Sequence, residues 1–257
     1  MITVDELIRN ARAAQQVLEG YSQKQVDALV KAMGRVIYDN AELLAREAVE
    51  ETGYGLVESK TLKQKKTAMA TWYYLSDKKS VGIIEEDVIN CTATFAKPMG
   101  VVACVTPSTN PTSTVCGNGM NIIKSRNAMI VAPHPRARKC TVHGVALINK
   151  ALAALGAPTG LVQIFEEPTM ETTQELMKKA DVIVATGGFG MIKAAYSSGK
   201  PSYGVGQGNV QCLVAPDYKD YGEVAQKLVS GRSYDNGMPC VCEQAAFFPR
   251  AGSAAIV

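Results

Sequence analysis

Hydrophobic and polar positions in the first 80 residues repeat with the period of an amphipathic helix. The clearest run of such apolar positions is Val26, Leu29, Val30, Met33 and Ile37. Thr3 and Ser22 are each followed three residues later by Glu or Gln, which is the capping-box signature of a helix start. Gly53 and Gly55 predict a helix end, and the spacing predicts a further helix over residues 59–75.

From residue 90 the pattern changes to β-type residues, with Thr92, Thr94 and Phe95 followed by the turn Pro98-Met99-Gly100. Short apolar runs then alternate with helix-length segments. Strands are predicted at residues 101–106, 128–132, 161–165, 182–185 and 203–205, and helices at 112–124, 137–155, 170–180 and 191–198. Short continuous apolar strands separated by helices indicate an α/β fold with a doubly wound, Rossmann-like parallel sheet.

A second unit is predicted to begin after this sheet. It contains a strand over residues 211–214, a helix over 222–230 and a cysteine-bearing turn. We therefore expect two units: residues 1–206, with the N-terminal helices and a dinucleotide-binding domain, and residues 207–257, the beginning of a second domain.

Composition removes several classes of function. The net charge of +3 over 257 residues, without a block of like charges, argues against a nucleic-acid partner. The densest basic run, residues 60–66, is interpreted as a solvated helix face. No apolar run is long enough to cross a membrane, and the N-terminus lacks the features of a signal peptide, so a cytoplasmic protein is expected. The seven cysteines show no disulfide or zinc spacing, and no metal site is expected.

Three loops follow predicted strands, at the edge where a parallel sheet binds ligands. In the first, Asn110 precedes Pro111, a pattern typical either of a helix N-cap or of a fixed amide that stabilises an oxyanion. In the second, His134 lies between prolines and beside Arg136, which suits either a solvated helix start or a 2′-phosphate. In the third, the adjacent glycines Gly187 and Gly188 allow backbone amides to approach a phosphate.

Cys240 follows the turn Asn236-Gly237 and Pro239 at the start of an apolar run. A turn places a thiol without burying it, and a reactive thiolate needs both placement and access. A small core residue is the alternative interpretation of this cysteine.

Several of these runs together resemble the CoA-acylating aldehyde dehydrogenases, including the aldehyde dehydrogenase half of bifunctional aldehyde–alcohol dehydrogenases. The similarity extends in order over essentially the whole chain. The matching runs are Thr109-Asn110-Pro111-Thr112-Ser113, Arg126-Asn127-Ala128, Ala132-Pro133-His134-Pro135-Arg136-Ala137, Ala185-Thr186-Gly187-Gly188, residues 193–201, Asp235-Asn236-Gly237, Cys240 and Glu243-Gln244.

The resemblance implies that Cys240 is the nucleophile and that the Asn110 amide and the Cys240 backbone N–H hold the oxyanion. Oxidation would leave a thioester on Cys240, which CoA then accepts as acyl-CoA. NAD or NADP is implied as cofactor, and CoA and a small aldehyde as partners. The implied cofactor-binding residues are Thr106, Pro107, Ser108, His134, Pro135, Arg136, Gly187, Gly188, Val205 and Gly206.

Hydrolytic relatives carry a glutamate base at the position that aligns with Gly204, so the resemblance favours CoA over water as the acyl acceptor. Two positions depart from the family pattern: Pro239 replaces an aliphatic residue, and Cys242 stands where Ser is common. Family members also continue beyond the nucleophile with the rest of the catalytic domain and assemble as homo-oligomers.

Among substrates, succinate semialdehyde is favoured, followed by acetaldehyde or another small aldehyde. A nucleotide-binding module without turnover is the alternative function. A scaffold role would depend on apolar residues predicted to lack a partner strand, which are Ala245, Ala246, Phe247, Phe248, Ile256 and Val257.

Overall fold

A computed structural model describes residues 2–218 and 220–249. Four helices come first: α1 (Val4–Glu19), α2 (Gln23–Asp39), α3 (Ala41–Thr52) and α4 (Val57–Leu75). Both predicted capping boxes are confirmed, since Thr3 and Ser22 accept from the backbone N–H three residues later. Gly53 ends α3 in the left-handed conformation, with a φ of 70°. The segment between Ser22 and Gly53 is divided into two helices at Asn40.

An antiparallel hairpin follows, formed by β1 (Ile83–Asp87) and β2 (Thr92–Phe95). The β-type pattern from residue 90 predicted the second strand, but the first strand was missed. Its sequence, two isoleucines followed by acidic residues, has no clear alternation, and most of its residues are exposed.

The central sheet has five strands: β3 (Val101–Val105), β4 (Ala128–Ala132), β5 (Val162–Ile164), β6 (Val182–Thr186) and β7 (Ser202–Val205). All pair in parallel in the order β5-β4-β3-β6-β7. Helices α5 (Pro111–Lys124), α6 (Arg138–Ala153), α7 (Met170–Lys179) and α8 (Phe189–Tyr196) connect them. The predicted doubly wound parallel sheet is confirmed, with strand bounds within two residues of those expected.

The core lies on both faces of this sheet. Every residue of β3 and β4 is buried, which explains why their sequences are continuously apolar rather than alternating. Helices α5 and α6 pack with α2 on one face, and α1 and α7 pack together on the other. Strands β4 and β5 lie on one side of β3, and strands β6 and β7 lie on its other side. The strand order therefore reverses between β3 and β6, which is the topological switch point of the sheet.

The second unit contains β8 (Val210–Leu213), α9 (Tyr221–Ser233) and β9 (Glu243–Phe247). The prediction that residues 245–247 lack a partner strand was wrong. They pair in parallel with residues 211–213 of β8, which satisfies backbone groups that the sequence pattern alone left unpaired. Leu213 and Phe247 nevertheless remain 79% and 54% exposed. Ile256 and Val257 lie outside the described residues.

No helix within the described ranges combines the length and the apolar character that a membrane span requires.

Candidate active site

A cleft of about 960 Å³ opens at the carboxyl ends of the parallel strands, at the switch point. All twelve site residues predicted from the sequence line it. Thr106, Pro107, Ser108 and Asn110 follow β3; His134, Pro135 and Arg136 follow β4; Gly187 and Gly188 follow β6; Val205 and Gly206 lie at the end of β7; and Cys240 approaches from the second unit. The structure thus brings together five segments that are far apart in the sequence.

Two features of the cleft wall suit a bound dinucleotide. The Thr106 hydroxyl is buried and has no hydrogen-bond partner, so a polar ligand atom would satisfy it. Gly188 occupies the N-cap position of α8, and a Cβ placed there would meet nothing within 4 Å. A helix that begins at an open cleft directs its free amides toward a ligand, an arrangement that favours phosphate.

His134 has a local role as well as a place in the cleft. Its Nδ1 accepts a hydrogen bond of 3.1 Å from the backbone N–H of Arg136, so the neutral ring carries its proton on Nε2. Burial and the adjacent Arg136 charge lower the pKa of His134. The predicted helix-start role is therefore confirmed, and the free Nε2–H still allows a neutral donor at the cleft.

The turn over residues 235–240 carries the predicted nucleophile Cys240 and is called the nucleophile turn below; it contains three consecutive left-handed residues. Asp235, Asn236 and Gly237 have φ values of 51°, 56° and 70°. Asp and Asn tolerate this region better than other side chains, and Gly enters it freely. Gly208 allows the β7–β8 loop to cross the turn, because a Cβ there would lie 2.4 Å from the Cys240 carbonyl oxygen.

The two cysteines of this segment lie in different environments. Cys240 is exposed to the cleft, whereas Cys242 is 3% exposed and directs its Sγ toward the Tyr234 carbonyl oxygen. Burial raises the pKa of the Cys242 thiol, and the nearby Glu243 charge adds to that effect. The core interpretation therefore describes Cys242 and not Cys240.

We expect iodoacetamide at neutral pH to alkylate Cys240 at least about tenfold faster than Cys242, because a buried neutral thiol is both inaccessible and a poor nucleophile. Peptide mass spectrometry over a time course measures both rates in one sample. The buried Cys104 and Cys116 serve as internal controls, since burial raises their pKa values to about 11 and about 12. Equal labelling of Cys240 and Cys242 would contradict the assignment of the accessible thiol.

A group of buried charges behind the cleft was missed by the sequence analysis. Lys60, Lys63 and Asp235, here called the Lys–Asp cluster, have side chains that are 4%, 18% and 0% exposed. The interpretation of residues 60–66 as a solvated face was wrong for these two lysines. Helical spacing could have signalled Lys60, which shares the buried face of α4 with Gln64 and Ala68, but not Lys63.

The cluster also contacts Asn110, for which the sequence left a helix N-cap and an oxyanion donor as alternatives. This residue occupies the N-cap position of α5, but its side chain makes no capping hydrogen bond. Its Oδ1 instead accepts from the Lys63 ammonium, and its Nδ2 donates to Thr109 Oγ1 at 3.2 Å. The amide is therefore held at the edge of the cleft by one tertiary contact, from Lys63, and one contact to its neighbour in the chain.

Among the residues that the structure describes, none of those lining the cleft carries a carboxylate. Gly204, the position at which hydrolytic relatives are expected to carry a glutamate base, lies in β7 beside the cleft. A Cβ at Gly204 would approach Ile192 and Tyr196 of α8 to 2.9 Å, so a larger residue there would require these two side chains to shift. Within residues 2–218 and 220–249 there is also no cluster of three or more His, Cys, Asp or Glu arranged to hold a metal ion.

The sequence of this chain is similar to those of known proteins over nearly its whole length. The aldehyde dehydrogenase family model matches residues 2–256. The succinate-semialdehyde dehydrogenase (acetylating) of Clostridium kluyveri is 52% identical over 248 residues, which are 96% of this chain and 54% of that protein. The sulfoacetaldehyde dehydrogenase (acylating) of Bilophila wadsworthia is 42% identical, over 95% of this chain and 53% of that protein.

Solved structures agree in fold over nearly the whole chain. An acetylating aldehyde dehydrogenase from Geobacillus thermoglucosidasius matches with a TM-score of 0.95 and 42% identity, over 98% of this chain and 56% of that one. Rhodopseudomonas palustris propionaldehyde dehydrogenase with bound propionyl-CoA gives 0.85 and 33%, over 99% and 56%. An engineered glycolyl-CoA reductase with bound NADP+ gives 0.85 and 32%, over 99% and 58%. The chain spans about half the length of the relatives it matches, and it belongs to the aldehyde dehydrogenase family.

Proposed function

We propose that this chain provides the cofactor-binding cleft and the nucleophile of a CoA-acylating aldehyde dehydrogenase, which interconverts a short-chain aldehyde and its acyl-CoA with NAD or NADP. The observation that carries the proposal is the position of the exposed Cys240 thiol in the same cleft as Asn110 and the loops at the strand ends. A nucleophile, an amide donor and a nucleotide-sized cavity are the parts that this chemistry requires.

In the forward direction the Cys240 thiolate attacks the aldehyde carbonyl carbon. The developing oxyanion accepts hydrogen bonds from Asn110 Nδ2 and the Cys240 backbone N–H. Bound NAD(P)+ supplies the acceptor for the hydride that leaves this carbon. The carbonyl re-forms as a thioester on Cys240, and the thiolate of CoA displaces Cys240 to give acyl-CoA. The reverse direction reduces acyl-CoA to aldehyde.

Residues after β3, β4, β6 and β7 would hold the nucleotide. The helix start at Gly188 suits a phosphate, and the Thr106 hydroxyl offers an unused hydrogen-bonding atom. The basic side chain of Arg136, with no carboxylate beside it in the cleft, is compatible with the 2′-phosphate of NADP as well as with NAD. A related structure with bound NADP+ supports this reading of the cleft.

Succinate semialdehyde is the favoured substrate. This preference is based on the 52% identity to an enzyme named for that aldehyde. A relative named for sulfoacetaldehyde also acts on a small aldehyde with an acidic group, so this compound and acetaldehyde belong in the same substrate panel.

We expect NAD(P)H to form continuously only when both aldehyde and CoA are present. Without CoA, formation should stop after about one equivalent per chain, because none of the described residues that line the cleft offers a carboxylate as a base for water, whereas a thiol needs little assistance. NAD(P)H absorbance, measured with each aldehyde and each cofactor, tests this expectation. Continuing acid formation in CoA-free buffer would contradict it.

A nucleotide-binding module without turnover is the second candidate, and it is favoured by the presence of the cleft at the strand ends in a chain that spans 54% of its relative. Binding of NAD or NADP by calorimetry, without CoA-dependent turnover of any aldehyde in the panel, would support this candidate against the first.

A further inference from the structure

The Lys–Asp cluster connects three distant parts of the chain directly behind the cleft. Asp235 Oδ2 accepts hydrogen bonds from Lys63 Nζ at 2.8 Å and from Lys60 Nζ at 3.2 Å, and its Oδ1 accepts from the Leu56 amide at 2.8 Å. Lys60 Nζ also donates to the Thr109 carbonyl oxygen at 2.8 Å. Two ammonium groups from α4 thus hold both the nucleophile turn and the loop that carries Asn110.

Lys63 makes the contact that matters for chemistry. Its ammonium donates to Asn110 Oδ1 while Asp235 accepts from it on the other side. An ammonium group has no acceptor, so it must face the oxygen and not the nitrogen of an amide. The contact therefore selects one of the two flip states of Asn110, the state in which Nδ2 points away from Lys63. One Nδ2–H is directed at Thr109 Oγ1, and the nitrogen carries a second.

We propose that Lys63, held by Asp235, is a positioning residue that orients the Asn110 amide so that it presents N–H, and not oxygen, to the oxyanion formed on the Cys240 adduct. The inference rests on the proposed function for the roles of Cys240 and Asn110. Without Lys63 the amide is free to flip, and its oxygen would repel the developing negative charge. Loss of an oxyanion donor costs roughly 100- to 1,000-fold in rate, and a partly misoriented amide should cost less.

Acylation of Cys240 by p-nitrophenyl acetate tests this without nicotinamide or CoA. The thiolate attacks the ester carbonyl carbon and a tetrahedral oxyanion forms. As the oxyanion collapses, the bond between the acyl carbon and the aryloxy oxygen breaks, so that p-nitrophenolate departs and an acetyl thioester remains on Cys240. We expect Lys63→Met to slow this burst about 10- to 100-fold. Lys63→Gln, which keeps an N–H donor, should slow the burst less than Lys63→Met does. Lys66→Met, which removes the same charge from an exposed position on α4, should leave the burst unchanged.

Alkylation of Cys240 by iodoacetamide distinguishes an effect on the oxyanion from an effect on the thiol or on the fold. This displacement passes through no oxyanion, so its rate in Lys63→Met should equal that of the parent chain. An equal slowing of both reactions would show that Lys63 acts on the thiol or on the fold, and would overturn the proposal. Labelling of the buried Cys104 and Cys116 identifies a variant that has unfolded.

A double-mutant cycle with Asn110→Ala completes the test. If Lys63 acts through Asn110, Lys63→Met should slow the burst no further in the Asn110→Ala background. Additive losses, an unchanged burst in Lys63→Met, or a parent chain without a Cys240-dependent burst would each overturn the inference. A burst with the expected pattern, in a chain that shows no CoA-dependent turnover, would support the inference while the proposed function fails.

Discussion

Replacing Cys240 by serine is expected to abolish CoA-dependent turnover, with a loss on the order of 10⁴-fold or more. Both proposed covalent intermediates, the thiohemiacetal and the thioester, are bonded to the Cys240 sulfur. A serine hydroxyl in the same place is a weak nucleophile, because no carboxylate is present among the described cleft residues to accept its proton. An oxygen ester would also transfer its acyl group to CoA less readily than a thioester. The measurement is NAD(P)H formation with saturating aldehyde and CoA.

Cys242→Ser is the matched control for this variant. It replaces the other thiol of the same segment, two residues away, at a position that is buried and faces the Tyr234 carbonyl oxygen. The hydroxyl can donate to that oxygen, so turnover should stay within about threefold of the parent chain. Turnover that survives in Cys240→Ser and disappears in Cys242→Ser would place the nucleophile on Cys242 instead.

Asp235→Asn is expected to lower the free energy of unfolding by about 3 kcal/mol. The substitution conserves size and suits the left-handed backbone, with its φ of 51°, so it isolates the charge. It leaves the buried ammonium groups of Lys60 and Lys63 without their counter-ion, and breaking a buried ion pair from one side is strongly destabilising. Urea unfolding followed by circular dichroism measures the difference.

The exposed carboxylate of Asp77 provides the control. Its side chain is 74% exposed and pairs with Lys78 at 3.6 Å, so Asp77→Asn should change the free energy of unfolding by less than about 0.5 kcal/mol. A loss in Asp235→Asn as small as that in Asp77→Asn would show that the buried cluster contributes no net stability.

Asp235→Asn should also change how the free energy of unfolding depends on pH in acid. Burial alone would raise the pKa of Asp235, but the hydrogen bonds from Lys63 and Leu56 and the charges of both lysines hold it below its ordinary value of 3.8. A carboxyl with a lowered pKa stabilises the fold fully above that value, and this contribution is lost as the pH falls through the lower, folded-state pKa. The parent chain should therefore lose this contribution to stability as the pH falls. Asp235→Asn has no carboxyl to protonate at this position, so its stability should not show that loss.

The cluster gives α4 a role in the site that the cleft itself does not reveal. Tyr234, next to Asp235, also donates its hydroxyl to the Ser59 carbonyl oxygen at 2.8 Å. The turn that presents Cys240 is thus anchored to the N-terminal helical layer as well as to its own short sheet. For this reason, a substitution on the buried face of α4 is expected to disturb the position of Cys240 in the cleft.

Local patterns in the sequence predicted most of the secondary structure correctly. Thr3 and Ser22 marked helix starts because capping hydrogen bonds join residues three apart, and β3 and β4 were recognised because full burial makes a strand continuously apolar. Hairpin strand β1 was missed because its exposed residues need not alternate. The partner of β9 was missed because pairing between β8 and β9 joins residues more than thirty positions apart.

What the sequence determined by itself was the set of parts: the parallel sheet, the loops at its carboxyl ends, and a cysteine held in a turn by Asp-Asn-Gly. Parallel strands end at a common edge, so these loops had to meet whatever the details of packing. What only the tertiary structure decided was how the parts are held. Lys63 reaches Asn110 across 47 residues and Asp235 across 172, so no local pattern distinguishes it from a solvated lysine on the same helix.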